Sequence, residues 1–221
     1  MYVSDCIQIM ILGYALGSVP FGVLLAKLFG LPDPRYIGSG NIGATNMLRT
    51  GNKKVALLTL LLDAGKGAAA VILAVYLFTP EDSIIDGLPC MDWDCSTTAA
   101  HAKNALAVLL AAIGHMYSPW LKFKGGKGVA TLLGGALAFA WPVGMGAIVI
   151  WILVCYTTRY VSLASIAALT VAPLIAWLRV DGTSAIILAI ACAVAIWKHR
   201  SNIKRLRDGF EPRISFARSN P

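Results

Sequence analysis

"VALLTLLLDAGKGAAAVILAVYLF", residues 55–78, carries only two charged side chains, Asp63 and Lys66, in a run that is otherwise apolar or small. About 20 such residues are enough to cross the hydrocarbon core of a bilayer, so this stretch reads as a membrane span. The rest of the chain agrees, with 57% apolar and 14% charged residues and a mean hydropathy of +0.71, well outside the usage of soluble domains. Working outward, further apolar segments fall near 6–29, 104–119, 128–141, 143–158, 162–178 and 184–197. The expectation is an all-α polytopic membrane protein of about seven transmembrane helices, built as one domain over 1–221. Three segments (128–141, 143–158 and 184–197) are short, and only Pro142 separates 128–141 from 143–158, so a five-span reading stays open.

Basic residues set the orientation, because Lys and Arg collect in cytoplasmic connections. Arg35, Arg49, Lys53 and Lys54 fall in one connection, Lys122, Lys124 and Lys127 in another, and Arg159 in a third. The tail from Lys198 holds seven more, whereas Lys103 and Arg179 stand alone on the opposite side. This places the N-terminus outside and the C-terminus in the cytoplasm. The net charge of +8 then describes one face of the molecule, which argues for an anionic substrate or lipid headgroup and against nucleic acid. The first apolar run has no basic flank before it, so no cleavable signal is expected.

Several polar residues inside the spans have two readings. Asp63 and Lys66, at i,i+3, form a structural ion pair or a functional site. Ser18 and Pro20 in "GSVPFG" read as a kink with close helix packing, and His115 and Ser118 as interfacial caps or site residues. Cys6, Cys155 and Cys192 belong with the apolar spans. Cys90 and Cys95 share an acidic external loop where a disulfide is plausible but not required. Neither CxxC nor HExxH occurs, so no metal and no cofactor are expected.

The cytoplasmic connections carry the chemistry. "SGNIGATNMLR" (39–49), "GHMYSPWLKFKGGKGVAT" (114–131), "RYVSLASI" (159–166) and "KHRSNIKRLRDGFE" (198–211) all lie on one side. Glycine-rich turns leave N–H groups available, and with Arg49, Lys124 and Lys127 they suit phosphate. Plain positive connectors would not need Ser39, Asn41, Thr45 or Asn46. In the tail, His199 and Asn202 are three residues apart and share a helix face, as would residues of a surface-lying basic helix. No GxxxxGK[ST] loop and no HxxxxD box occurs, which removes P-loop hydrolysis and the soluble-type glycerophosphate acyltransferase mechanism. A phosphate-solute transporter would show an internal repeat, and none is evident. A lipid-binding scaffold would not require the Ser, Thr and Asn residues.

Taken in order, "GSVPFG", "GSGNIGATNMLR", "LDAGKGA", "GHMYSPWLKFKGGKGVAT", "RYVSLASI" and "HRSNIKRLRDGFE" resemble the bacterial acyl-phosphate-dependent glycerol-3-phosphate acyltransferases over nearly the whole chain. The external loop from Thr79 to Lys103 is longer than the family pattern. The resemblance implies a multi-pass enzyme of the bacterial inner membrane with its active site on the cytoplasmic side. It would transfer an acyl group from acyl phosphate to the sn-1 hydroxyl of glycerol 3-phosphate, giving lysophosphatidic acid and phosphate for phospholipid synthesis. Its partners would be these substrates and membrane lipids, with no obligate protein partner. By motif position Ser39, Ser165, His199 and Asn202 are implied as catalytic. Asn41, Gly43, Thr45, Asn46, Arg49, Lys124, Gly125, Gly126 and Lys127 are implied as phosphate-binding. Which of the two lysines matters more, and which of Ser162 and Ser165, stays open. So does the proton acceptor: His199 by side-chain type, a substrate phosphate, or, as a third option, a seryl acyl-enzyme at Ser39. Asn202 is the candidate oxyanion donor.

Overall fold

The computed structural model describes residues 3–78, 84–85, 88–89 and 97–214. Every apolar segment is helical. The first is broken into Val3–Ser18 (α1) and Phe21–Leu28 (α2), because Pro20 has no N–H to continue the ladder. A connection containing a short helix, Ala44–Met47 (α3), leads into the long Lys53–Phe78 (α4). Beyond it, Ile84–Ile85 (β1) pairs antiparallel with Leu88–Pro89 (β2). There follow Thr98–Met116 (α5), Val129–Phe139 (α6), Trp141–Thr158 (α7), Val161–Arg179 (α8), Gly182–Lys198 (α9) and Arg200–Arg207 (α10). Cys90 and Cys95 lie outside the described residues.

Among the described residues, four stretches are long and apolar enough to cross a membrane: Val3–Leu28, Lys53–Phe78, Trp141–Thr158 and Val161–Arg179. α9 adds a fifth only together with α10, which bends away from it by 58°. The expected seven are therefore not all spans by length and composition. α6 is an 11-residue helix, and α5 is diluted by His101, Lys103, Asn104 and His115. Pro142 does not end a helix as punctuation alone suggests. It occupies the first turn of α7, and the break falls at Ala140, which is extended, as suits a proline at a helix start.

α5 is the central helix, with most of its length buried against α1, α4, α6 and α9. The core around it is dominated by Ala, including Ala70, Ala74, Ala107, Ala111, Ala168, Ala172, Ala191 and Ala195. The large side chains Leu57, Leu61, Tyr76, Leu77, Ile152, Tyr156, Trp177 and Leu178 point outward. Small residues inside and bulky ones outside is the packing logic of helices in lipid, where close backbone approach, not apolar burial, drives association. Gly17 of α1 lies so close to the Ala111 backbone of α5 that a Cβ would strike it, and Gly134 of α6 meets Ala64 of α4 in the same way. These contacts make "GSVPFG" both a break and a packing point.

Antiparallel helices sort the connections to two ends. At one, Lys103 Nζ bonds Asp5 Oδ2 and Phe78 O, both at 2.8 Å, and His101 Nδ1 lies 3.4 Å from Asp181 Oδ2. The other end gathers residues 29–52, 117–128, 159–160 and 199–214, and holds the site.

Candidate functional site

The connection 33–50 is folded around one side chain. Asn46 is 2% exposed. Its Nδ2 donates to Pro34 O (2.7 Å), Asn41 O (2.8 Å) and Ile37 O (3.1 Å). Its Oδ1 accepts from Ser39 N and Ser39 Oγ, both at 3.2 Å. An amide with every polar atom engaged by its own loop is a keystone rather than a ligand contact. The loop it builds presents Ser39, Asn41, Gly43, Thr45 and Arg49 to a cavity of about 720 Å³. Ser39 Oγ donates to the Asn46 amide oxygen, which is too weak a base to activate a serine as a nucleophile.

The opposite wall comes from the "FKGGKG" connection. Gly125 N donates to Met116 O (3.2 Å) and Gly126 N to His115 O (3.1 Å), so these N–H groups satisfy the end of α5. A Cβ on Gly125 would strike the His115 carbonyl and one on Gly126 the His115 ring. Gly125 and Gly126 therefore let the loop lie on α5, and Lys124 is exposed; none of the three lines the cavity. Lys127 does, as do Gly128 and the first residues of α6, whose N–H groups have no helical partner. The start of α8 also opens on the cavity, through Val161 and Ser162. Helix N-termini of this kind favour anions.

The third wall is the bend between α9 and α10. His199 is buried, with Nδ1 2.8 Å from Ala195 O, which leaves Nε2 as its other ring nitrogen. Lys127 Nζ donates to Asn202 Oδ1 at 2.5 Å, Asn202 Nδ2 donates to Glu211 Oε1 at 2.7 Å, and Arg205 Nε donates to Glu211 Oε2 at 2.8 Å. This chain fixes the Asn202 amide with one of its two N–H bonds used. Burial pushes the Lys127 ammonium down to about 8; Glu211 opposes that shift, and Arg205 and Arg49 add to it. Burial acts to raise the Glu211 carboxyl, but its contacts with Asn202, Ser162 and Arg205 outweigh this and hold it below the usual carboxylate range.

Asp63 and His115 also line the cavity, over a buried cluster. Lys66 Nζ reaches Asp63 Oδ1 (2.7 Å), His115 Nδ1 (2.8 Å) and Val19 O (2.8 Å), a partner for each of its three donors. With Asp63 matched by Lys66 and Glu211 by Arg205, the positive balance at the cavity rests on Lys127, Arg49 and Arg213. Away from this polar end, the walls become apolar: Leu60 and Leu61 of α4, Leu133 and Leu137 of α6, and Ile148, Trp151 and Ile152 of α7. Leu60, Leu61 and Ile152 are also exposed on the outer surface, so the groove reaches the face that meets lipid. Ser165 stands beside Trp151, whose Nε1 donates to its hydroxyl at 3.2 Å.

Of the residues expected from sequence, the cavity gathers Ser39, Asn41, Gly43, Thr45, Asn46, Arg49, Lys127, Ser165, His199 and Asn202. Sequence reasoning missed Arg205, Glu211 and Arg213. The available signal was the second acid of "DGFE" in a predominantly basic tail, nine residues from Asn202.

A helical membrane bundle with a cation-rich pocket that runs into an apolar groove defines a class: integral membrane proteins that handle amphiphiles with anionic heads. The sequence pattern of the family described as glycerol-3-phosphate acyltransferase matches residues 7–209. The glycerol-3-phosphate acyltransferase of Rhodopseudomonas palustris (strain BisB5) is 43% identical over 94% of this chain and 95% of its own. That of Rhodospirillum rubrum is 47% identical over 91% and 88%. Among solved structures, PlsY, an integral membrane glycerol 3-phosphate acyltransferase, superposes in its glycerol 3-phosphate form with a TM-score of 0.79 at 36% identity, covering 95% of this chain and 96% of that one. Its lysophosphatidic acid form gives 0.78 at 34%, with 95% of each covered. The chain belongs to this family of membrane-integral glycerol-3-phosphate acyltransferases.

Proposed function

We propose that the protein transfers an acyl group from acyl phosphate to the sn-1 hydroxyl of glycerol 3-phosphate, releasing lysophosphatidic acid and inorganic phosphate. The whole chain, 1–221, acts as one domain of about seven membrane-embedded helices in a bacterial inner membrane, with the N-terminus outside and the cavity at the cytoplasmic end. The observation that carries the reading is the continuity of a cation-rich polar end with an apolar groove. Two phosphate-bearing substrates need the first, and an acyl chain needs the second.

Acyl phosphate is a mixed anhydride, so the enzyme has to align an alcohol with an activated carbonyl rather than build a covalent nucleophile. The sn-1 oxygen adds to the acyl carbon. The tetrahedral intermediate then collapses with cleavage of the carbon–oxygen bond to phosphate. The second N–H of Asn202, held by the Lys127–Glu211 chain, is the donor for the developing oxyanion. Arg49, Lys127, Arg213 and the N-termini of α6 and α8 hold the phosphates, with Asn41, Gly43 and Thr45 shaping the loop that closes on them. The hydroxyl proton passes to the departing phosphate. This route is favoured over His199 as base because the His199 Nδ1 partner is a carbonyl rather than a carboxylate, and burial pushes its imidazole down to about 4, with Glu211 opposing that shift only in part. His199 then positions the hydroxyl through Nε2.

The test is direct: purified protein given acyl phosphate and radiolabelled glycerol 3-phosphate, without ATP or coenzyme A, should make lysophosphatidic acid, and acyl-coenzyme A should serve poorly. Equal use of both donors would overturn the donor assignment.

A further inference from the structure

Asp63 stands between the two phosphate-binding walls of the cavity. One turn before it on α4 is Thr59, and the connection 33–50 rests there: a Cβ on Gly22 would strike Ile42 O and crowd the Thr59 methyl. His115 joins Asp63 to the other wall. Its ring packs beneath Gly126, the residue before Lys127, and its Nδ1 lies 3.5 Å from Asp63 Oδ1. Lys66 Nζ is 2.7 Å from the same oxygen, which is closed off from the cavity. Oδ2 is left as the carboxylate edge that Asp63 offers to the cavity it lines. Among the described residues no donor reaches Oδ2, because Lys66 spends its other bonds on Val19 O and on His115 Nδ1. A carboxylate that is 2% exposed, at membrane depth and short of a donor, calls for a ligand that supplies one.

The chemistry of the substrates narrows the choice. A phosphate dianion and an acyl carbonyl only accept, so neither can satisfy Oδ2. Glycerol 3-phosphate carries two hydroxyl donors, and the sn-1 hydroxyl is committed to His199 and the reacting carbonyl. Resting on the acyl-transfer reading above, we propose that Asp63 is a specificity-determining residue whose Oδ2 accepts a hydrogen bond from the sn-2 hydroxyl of glycerol 3-phosphate. Lys66 and His115 hold the carboxylate from behind. The cations of the pocket recognise any small phosphate monoester, and Asp63 adds a test for the second hydroxyl. An acceptor without that hydroxyl leaves Oδ2 short of a donor, which costs far more than a missing methylene in an apolar pocket.

The experiment compares glycerol 3-phosphate with 3-hydroxypropyl phosphate, the same acceptor without its second hydroxyl. Calorimetry gives Kd for each in the absence of donor, and initial rates with acyl phosphate give kcat/KM. The proteins are wild type, Asp63→Asn, and Asp63→Leu combined with Lys66→Met, which removes both charges together so that neither is left buried alone. Wild type should prefer glycerol 3-phosphate by about 10²-fold or more. Asp63→Asn, a neutral and weaker acceptor, should cut that preference by about tenfold, and the paired variant should bring it to about one. A lower folded fraction scales kcat/KM for both acceptors alike and leaves the preference untouched. If Asp63→Asn does not fold, the paired variant decides. A wild-type preference near one overturns the proposal. So does a preference that survives in the paired variant, with both acceptors losing equally, which would make the cluster a structural support. If wild type binds glycerol 3-phosphate but forms no product from acyl phosphate, the donor assignment fails instead, and the preference is read from Kd alone.

Discussion

Lys127 offers a prediction whose size follows from its surroundings. Its ammonium lies against Asn202 and within reach of the fields of Arg205 and Arg49, and burial brings it to about 8. The charged form therefore dominates below about pH 8 and is lost above it, the direction that removes a phosphate contact as pH rises. At pH 9 roughly one Lys127 in eleven would be charged in the free enzyme. kcat/KM for glycerol 3-phosphate should then be about tenfold below its plateau. A bound phosphate dianion at about 4 Å interacts with an ammonium by ~4 kcal/mol per unit charge at an effective dielectric of ~20. Each pKa unit corresponds to 1.36 kcal/mol, so the alkaline limb should move up by more than one unit in kcat, where substrate is bound. Lys127→Arg tests the assignment, because a guanidinium stays charged throughout. The alkaline limb should vanish from kcat/KM, while an acid limb near pH ~6, set by the second ionisation of a phosphate monoester, stays. Initial rates of lysophosphatidic acid formation, corrected for spontaneous hydrolysis of the donor, give both profiles. An alkaline limb that persists near pH 8 in Lys127→Arg would refute the assignment.

Arg49→Ala should raise KM by about tenfold or more with little change in kcat, as for a contact made equally in ground and transition states; a fall in kcat alone would contradict this. Asn46→Ala should lower stability by about 2–3 kcal/mol, seen as an earlier thermal transition in detergent. Asn46→Asp should not restore it, since the carboxylate lacks the two N–H bonds that hold Pro34, Ile37 and Asn41. Lost activity with an unchanged transition would make Asn46 a substrate contact instead. In a background without native cysteines, Lys53→Cys should be shielded from an impermeant thiol reagent in intact cells and Thr98→Cys should label, and the reverse pattern would invert the orientation.

The helices were legible because hydropathy marks them segment by segment, and Pro20 and Pro142 mark breaks through a missing donor. Their ranking was less so. α5 carries polar residues that the apolar count treats as defects, yet it is the axis of the bundle: Lys103 reaches Asp5 of α1 and Phe78 O of α4, and His115 meets Lys66 of α4. At the site, residue type was legible and role was not. Asn46, Gly125 and Gly126 have the chemistry of phosphate binding, but a loop amide or glycine can satisfy its own backbone as readily as a ligand. Glu211 was invisible for another reason. Its meaning comes from the chain turning back after α10, where Phe210 N and Glu211 N both donate to Arg205 O, at 2.8 and 3.1 Å, and no periodicity announces that turn. Lys127, His199 and Asn202 were named together, but the bond joining Lys127 to Asn202 spans 75 positions.

The polar load of α5 also bears on how the chain is assembled. A lysine at a helix centre costs about 2.5–3.5 kcal/mol in lipid; Lys103, in the second turn of α5, would carry part of that cost if released, and His101, Asn104 and His115 add to it. In the finished bundle Lys103 has Asp5 from α1 and Phe78 O from α4, both made earlier by the ribosome. α5 is thus a passenger during biogenesis, taken into the bilayer by helices already waiting there. A nascent chain lacking α1 should leave α5 stranded at the translocon even though its own residues are intact.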